Sequence, residues 1–507
     1  MASPDKSIQD ARTALQSGNL KIALSLLNRA VKLNPTDIDT WHMLAVVNGM
    51  LEDYVNAENC CRKVLRLQPH AYQALNNLGS IQKNLGKLKD AEDSYRKAIK
   101  IKPDYAEAAN NLATLLLDQD KKEEALEYYR TAVRLEPRYA EAHNNLGALL
   151  QARGSLSEAL AHYQKAVQLQ PDNPENTYNL GCGLLETGQY KEAALAFQHV
   201  VMAQPLNSRA WTSLGAAQVR LKQHQSVKES CQKAIALDPN NWEAYFHLGT
   251  SYQNQHLEAE AERMYRKALE IKPELESVKY FLSILGADEA PAQSPAEYVK
   301  DLFDGYAETF DNQLVSDLQY KTPSHLFNAV SRYTDMSSGG LKIIDLGCGT
   351  GLCGPLFRDM ASYLVGVDLS QKMIEKARAR NIYDDLFVDD LISPLEKSEI
   401  TYDIAIAADV FVYLGDLDKV FSAISRSLDP GGIFAFSTES HKGQEDFILR
   451  PTGRYAHTIN YIENLAQTHG FMIKNVENMV LRKEAGSDIQ GYIHVLKKPL
   501  SGNNSTS

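Results

Sequence analysis

A chain of 507 residues is too long for one ordinary hydrophobic core and calls for several domains, or for a repeat array joined to a domain. Its 44% hydrophobic and 23% charged residues match folded globular proteins, which excludes wholesale disorder. A formal charge of −11, with no compensating Lys/Arg block, argues against a surface that neutralises nucleic-acid phosphates, so no nucleic-acid partner is expected.

The opening MASPDKSIQD has no basic segment leading into an apolar run, and no stretch reaches the roughly 18 apolar residues that span a bilayer. A soluble, cytoplasmic protein without membrane insertion is the expectation. The six cysteines are spaced neither as a disulfide framework nor as CxxC zinc pairs, which fits a reducing compartment and no metal site.

The first half is periodic. Pro35, Pro69, Pro103, Pro137, Pro171, Pro205, Pro239 and Pro273 recur every 34 residues, each after an amphipathic segment that it terminates. Alanines such as Ala23, Ala57 and Ala91 recur where paired helices must approach closely, with Val227 as the exception. Leu-Gly pairs such as Leu78-Gly79 and Leu146-Gly147 mark the first helix of a pair, and Tyr95, Tyr129, Tyr163, Phe197 and Tyr265 supply a bulky plug in the second. On these residues the segment from Pro4 to Pro273 resembles the tetratricopeptide repeat. The resemblance implies eight stacked helix pairs forming an all-α superhelix with a concave groove, and a final helix covering the last apolar face, for which residues 275–285 (LESVKYFLSIL) are suited.

Asn77, Asn111, Asn145 and Asn179 share one repeat position in four successive units. A carboxamide offers one acceptor and two donors, so such a column can hydrogen-bond the backbone of an extended peptide without reading its sequence. It resembles the asparagine ladder of the O-linked N-acetylglucosamine transferase repeats, which implies a protein or peptide bound in the groove. An asparagine that only caps or solvates is the competing reading.

The repeat array is expected over residues 4–286. Residues 287–296 (ADEAPAQSPA), with two prolines and no periodicity, read as a linker, 297–499 as a second domain and 500–507 as a disordered polar tail. In the second domain short apolar runs near residues 341–346, 363–367, 385–388, 402–408, 432–437, 471–481 and 490–496 alternate at first with helical patterns. That order predicts a seven-stranded, mostly parallel sheet covered by helices. In LKIIDLGCGTGLCGPLF an apolar strand ends at Asp345, and Gly347, Gly349 and Gly351 turn the chain where side chains would block both the turn and a ligand's approach. Cys348 lies inside that loop without an adjoining His or Asp, and reads as a small loop residue and not a nucleophile.

Together DLGCGTG, VGVDLSQKMI, VDDL, YDIAIAADV and LDPGGIFAFSTE resemble the motifs of class I S-adenosylmethionine-dependent methyltransferases, which have a Rossmann-like α/β fold. The resemblance implies S-adenosylmethionine as cofactor, leaving as S-adenosylhomocysteine. It places Asp345 near the methionine end, the Gly347, Gly349 and Gly351 loop beneath the sulfonium side, Asp368 on the ribose and Met373 against adenine. Asp390, or Asp389 in its stead, approaches the adenine amine, and Ala408 borders the mouth. A nicotinamide-dependent dehydrogenase shares the glycine turn, but the pattern here is DxGxGxG and not GxGxxG.

The fourth strand ends in AADVFV, without the Asn/Asp-Pro-Pro-Tyr/Phe signature of enzymes that methylate amide or base amino nitrogens, which leaves oxygen, carboxylate, carbon or amine acceptors. YVKDLFDGYAETFD resembles the aromatic lid helix of small-molecule methyltransferases related to ubiquinone and trans-aconitate enzymes. Tyr306 and Phe310 are its candidate wall residues, although their spacing also suits one buried helix face. In RPTGRYAHTINYIENLA, Arg454 is a candidate carboxylate clamp and His457 a candidate base or helix cap, and Tyr413 is a third candidate at the mouth. The expected function is methyl transfer from S-adenosylmethionine to an acceptor, a protein recruited by the repeats. The alternatives are a small-molecule methyltransferase whose repeats serve assembly and a non-catalytic repeat scaffold.

Overall fold

The computed structural model describes residues 4–307, 310–312, 320–334, 339–484 and 487–500. By internal contacts the chain divides into two compact units, Met1–Ala217 and Gln218–Ser507.

The first unit consists of antiparallel helix pairs repeating along the chain, as in Tyr72–Asn84 with Leu88–Ile101 and Ala106–Asp118 with Lys122–Leu135. The Leu-Gly and Tyr positions of the sequence prove to be two sides of one contact. A Cβ placed on Gly79 would lie 2.6 Å from Tyr95 Cε1, and on Gly147 2.8 Å from Tyr163 Cδ1, so the ring occupies the space that the missing side chain leaves. The phenol of Tyr95 meets Ser80 Oγ at 2.9 Å and that of Tyr129 meets Thr114 Oγ1 at 2.9 Å, so each buried hydroxyl has a partner. The turn inside each pair passes through the left-handed region at Gly18, Glu52, Gly86, Asp120, Gly154 and Gly188, again 34 residues apart. Helix Leu88–Ile101 ends on Lys102 with φ −129°, the extended conformation that the following Pro103 imposes.

The second unit opens with helices of the same pattern, among them Trp242–Gln253 and Glu258–Ile271, where a Cβ on Gly249 would lie 2.6 Å from Tyr265 Cε1. Helix Glu276–Ile284 covers their last apolar face: Val278 and Leu282 are fully buried and Phe281 stacks on Tyr265 with ring centroids 5.5 Å apart. Helices Ala296–Tyr306 and Thr322–Ser331 lead into the sheet.

The strands are β1 (Leu341–Leu346), β2 (Ala361–Asp368), β3 (Asp385–Val388), β4 (Tyr402–Ala407), β5 (Leu428–Glu439), β6 (Phe447–Leu449), β7 (Tyr455–His457), β8 (Met472–Glu484) and β9 (Ser487–Lys497). Seven of them form one sheet in the order β3-β2-β1-β4-β5-β9-β8, parallel from β3 to β5 and antiparallel across β9 and β8. Both faces are covered. Ile344, Val365, Ala405 and Phe434 look into one core with Phe421 and Leu465, while their neighbours Ile343, Leu364, Ile404 and Ile433 look into the other with Leu326 and Val330. Burial on both faces is why these strands read as continuous apolar runs. Strand order reverses between β1 and β4, and in such sheets the crevice outside the carboxyl ends at that point is where ligands bind. The expected tetratricopeptide array and seven-stranded, mostly parallel Rossmann-like sheet are therefore the observed fold classes. The sequence reading did not include the two-stranded β6–β7 hairpin.

Among the described residues no helix is long and apolar enough to cross a membrane.

Candidate functional site

The loop after β1 carries φ values of +68° at Gly347, +54° at Gly349 and +86° at Gly351. At Gly347 the constraint is steric as well as conformational, since a Cβ there would lie 2.4 Å from Val410 Cγ2. Asp368, ending β2, fastens this loop: its Oδ2 accepts from Gly349 N at 2.9 Å and its Oδ1 from Ser370 N at 2.9 Å. The two strand ends are thus locked together around a cavity of about 590 Å³.

Of the residues singled out from sequence, Gly347, Gly349, Asp368, Asp390 and Ala408 line this cavity from the sheet side, and Phe310, Tyr413 and Arg454 from the other. Phe303 joins them, its ring 5.9 Å from Phe310 and 5.4 Å from Tyr413, so one aromatic wall runs from the helix before the sheet to the end of β4. The side chain of Tyr306 lies outside the described residues.

Other expected residues stand elsewhere. Asp345 is buried beneath the loop; its Oδ2 accepts from the Tyr383 hydroxyl at 2.6 Å and its Oδ1 has no partner. Burial raises its carboxyl to about 7, against the lowering effect of Tyr383 and with a further push from the charge of Asp368. A Cβ on Gly351 would face Tyr383 Cε2 at 2.9 Å, so that glycine serves the packing of the loop. Met373 is fully buried and does not line the cavity, because Ser370 caps helix Gln371–Ala379 by accepting from Met373 N and turns the third position inward. Leu369, directly after Asp368, is an apolar residue that does line the cavity. Asp389 points away to Lys397 at 3.1 Å. Asp390 accepts from Ile392 N at 2.7 Å and from Ser393 N at 2.8 Å; burial opposes ionisation, but these bonds outweigh it and hold the carboxyl below its ordinary value.

His457 is not brought to the cavity. It lies in β7, 1% exposed, with Nε2 3.1 Å from Gly415 O, and burial lowers it to about 4, so it is a neutral core histidine near pH 7. Nor does it cap the next helix: that position belongs to Thr458, whose hydroxyl accepts from Tyr461 N. Burial raises the Cys348 thiol well above its usual range, in keeping with an inert loop residue.

Sequence reasoning missed a buried ionic group at the Tyr413 end. Arg482 of β8, 2% exposed, pairs through Nη1 with Asp409 Oδ2 at 2.8 Å and through Nη2 with Glu439; Arg450 pairs with Glu439 Oε2 at 3.0 Å, and Arg454 Nη1 stands 3.8 Å from Glu439 Oε1. Asp409 holds φ +57°, a conformation that a non-glycine residue keeps only where its surroundings enforce it. Two acids of the aromatic segment were missed as well: Asp304 accepts from Ser370 Oγ at 2.5 Å, and Asp311 pairs with Thr350 and Arg380. For Arg482 the sequence signal was a charged residue interrupting an apolar strand.

Comparison with known proteins agrees with this architecture. A family model described as "Methyltransferase domain" matches residues 344–436, and models described as "Tetratricopeptide repeat" match 72–105, 110–174, 150–217, 208–241 and 230–263. A malonyl-[acyl-carrier protein] O-methyltransferase of Yersinia pestis is 27% identical over 29% of this chain and 52% of its own length. A ubiquinone biosynthesis O-methyltransferase of Bartonella bacilliformis is 32% identical over 20% of this chain and 41% of its own. The chain spans about half the length of the curated relatives it matches. The solved structure of YrrB, a tetratricopeptide protein, is similar over 37% of this chain and 97% of that one, with 23% identity and a TM-score of 0.35. The chain thus joins tetratricopeptide repeats to a methyltransferase domain.

Proposed function

We propose that the chain transfers a methyl group from S-adenosylmethionine to an acceptor that enters on the Tyr413 and Arg454 side of the cavity. The observation carrying this reading is the joint of Asp368 with the Gly347–Gly351 loop at the switch point of the sheet. The residues present fit the cofactor. The cavity volume lies within the range of small-molecule sites, about 300 to 1,000 Å³. Each Asp368 oxygen accepts one backbone amide and keeps a lone pair for a ribose hydroxyl. Leu369, Leu391 and Ile392 offer apolar contact for adenine beside Asp390, and Asp345 underlies the loop at the methionine end.

When bound, the sulfonium supplies an already activated methyl whose leaving group departs neutral. The chain's own task is then alignment and exclusion of water, and alignment of this kind lowers a barrier by about 7 to 11 kcal/mol. Phe303, Phe310 and Tyr413 provide the water-excluding wall. Burial keeps the Tyr413 phenol protonated, against the opposing pull of Arg454 and Arg482, so it acts as a hydrogen-bond donor to an acceptor oxygen. Arg454 offers a guanidinium at the same end, which suits an acidic or oxygen acceptor better than a cationic amine. The O-methyltransferase names of the relatives point the same way. We read the acceptor as carried on a protein or peptide recruited by the repeats; the enclosed aromatic wall favours, as second reading, a free small molecule.

Isothermal titration with S-adenosylmethionine tests the proposal. The parent chain binds with 1:1 stoichiometry, and Asp368→Ala weakens binding at least about tenfold, since hydrogen bonds to a charged group contribute about 1.5 to 3 kcal/mol. A well-folded parent chain that shows no heat of binding overturns the cofactor assignment and leaves the repeats as a scaffold.

A further inference from the structure

Helix Glu276–Ile284 does more than cover the apolar face of the preceding repeat. Its Tyr280, 1% exposed, donates its hydroxyl to Gly453 O at 2.7 Å and lies 2.7 Å from Ser294 Oγ. With its one proton committed to Gly453, the phenol oxygen accepts from Ser294. Both partners belong to stretches that wall the cavity: Gln293 and Ser294 line it directly, and Arg454, which follows Gly453, lines it beside Tyr413.

The surrounding backbone extends this joint. Ser294 N donates to Tyr413 O at 2.9 Å, Ala292 O accepts from Gly415 N and Asp416 N at 2.8 Å each, and the Tyr455 hydroxyl donates to Pro291 O at 2.8 Å. Gly453 has φ +73°, which favours glycine, and a Cβ there would lie 3.1 Å from the Tyr298 hydroxyl and 3.2 Å from Ile284 Cδ1, so the β6–β7 turn is seated closely against these side chains. Tyr280, Ile284 and Tyr455 form one buried cluster with Phe281, Tyr298 and Phe447 packed against it. The loop at the other end is fastened separately, through Asp368 to Gly349 and Ser370.

We propose that Tyr280 is a positioning residue for the acceptor end of the cavity: its hydroxyl ties the turn that carries Arg454 to the stretch that carries Ser294, making the helix that closes the repeats a structural part of the acceptor wall. The inference rests on the reading of this cavity as a methyl-transfer site. It separates the two ends of the site, since Tyr280 fixes the acceptor wall and leaves the Asp368 loop alone.

Tyr280→Phe in the full chain keeps the ring and removes the hydroxyl. Hydrogen exchange followed by mass spectrometry is expected to show about tenfold faster exchange in peptides covering residues 290–296 and 447–457, the cost of one lost buried hydrogen bond, with residues 258–284 unchanged. Phenylglyoxal is expected to modify Arg454 several-fold faster, a readout that general loosening of the helix would not single out. S-adenosylmethionine affinity stays within twofold of the parent. Ser294→Ala cuts one arm of the joint and is expected to loosen 290–296 while sparing the turn at 450–454. Unchanged exchange and unchanged Arg454 modification in Tyr280→Phe, or faster exchange spread through the helix itself, overturns the proposal. A parent chain that fails to bind S-adenosylmethionine overturns the methyl-transfer reading instead, and the exchange pattern still reports on the joint.

Discussion

Asp345 shows how one buried carboxyl links the site to stability. Held near 7 in the folded chain against 3.8 unperturbed, it keeps its proton between about pH 4 and pH 7 while the unfolded chain loses one. Its contribution to stability is therefore full below pH 4 and declines as pH rises to 7. His457 and His494 act in the opposite sense: burial holds them at about 4 and about 3 when the unfolded chain protonates near 6.5, so their contribution is lost as pH falls. The two trends cancel in part in the parent chain and separate in a variant. Asp345→Asn, which keeps an acceptor for Tyr383, is expected to gain melting temperature relative to the parent as pH rises from 4 to 7, by roughly 5 °C or more. Thermal melts of both proteins at a series of pH values check this, and a constant offset would show that the carboxyl is ionised in the folded chain throughout. Nothing of this was legible in the sequence, where Asp345 is one acid before a glycine loop. Its environment is made by Tyr383, 38 residues on, and by the loop folding over it.

The helices of the repeats and the parallel strands were legible because each is specified locally. A helix pair must place a glycine opposite a ring 16 residues later, as Gly79 opposite Tyr95, and a strand buried on both faces must be apolar throughout. The β6–β7 hairpin has three-residue strands and no alternation to read; it stands because Tyr455 reaches Pro291 and His457 reaches Gly415. Arg482 was hidden for the same reason, since its partners Asp409 and Glu439 come from the ends of β4 and β5. The repeat turns carry a prediction of their own. Glu52, Asp120, Lys222 and His256 hold φ between +56° and +62° where the equivalent residues Gly18, Gly86, Gly154 and Gly188 are free to do so. A non-glycine residue loses about 1 to 2 kcal/mol in that region, partly offset by the greater freedom of glycine in the unfolded chain. Glu52→Gly is therefore expected to stabilise by about 0.5 kcal/mol and Gly154→Ala to destabilise by about 1 kcal/mol, measured by urea unfolding.

At the scale of the whole molecule the asparagine column tests whether the repeats bring the methyl acceptor. The structure adds a second column, formed by Asn76, Asn110 and Asn144. Asn111 Nδ2 donates to Asn76 Oδ1 at 3.0 Å, Asn145 to Asn110 at 3.1 Å and Asn179 to Asn144 at 3.0 Å, so these three ladder residues are hydrogen-bonded to the preceding repeat. Asn76, Asn110 and Asn144 are buried, whereas the ladder residues are only half-buried. One N–H of the Asn111, Asn145 and Asn179 carboxamides is thus engaged within the array, which orients the group and leaves its carbonyl oxygen and second N–H as the means of holding a peptide backbone. Loss of activity in a ladder variant would therefore be ambiguous by itself, since it removes an inter-repeat bond of about 1 kcal/mol as well as a ligand contact. Comparing Asn111→Ala with Asn76→Ala resolves this: both break the same bond, Asn76→Ala removes in addition the bond from Asn76 Nδ2 to Glu107 Oε1 at 3.0 Å, and only Asn111→Ala removes the half-buried carboxamide, so a larger loss in Asn111→Ala reports the ligand contact. If the repeats deliver a protein acceptor, Asn111→Ala combined with Asn145→Ala lowers labelled-methyl transfer to protein at least about tenfold, Asn76→Ala with Asn110→Ala lowers it far less, and transfer to a small acceptor is the same in all. Equal losses in the two double variants would assign the column to stitching one repeat to the next, and the catalytic domain would then find its acceptor without the ladder.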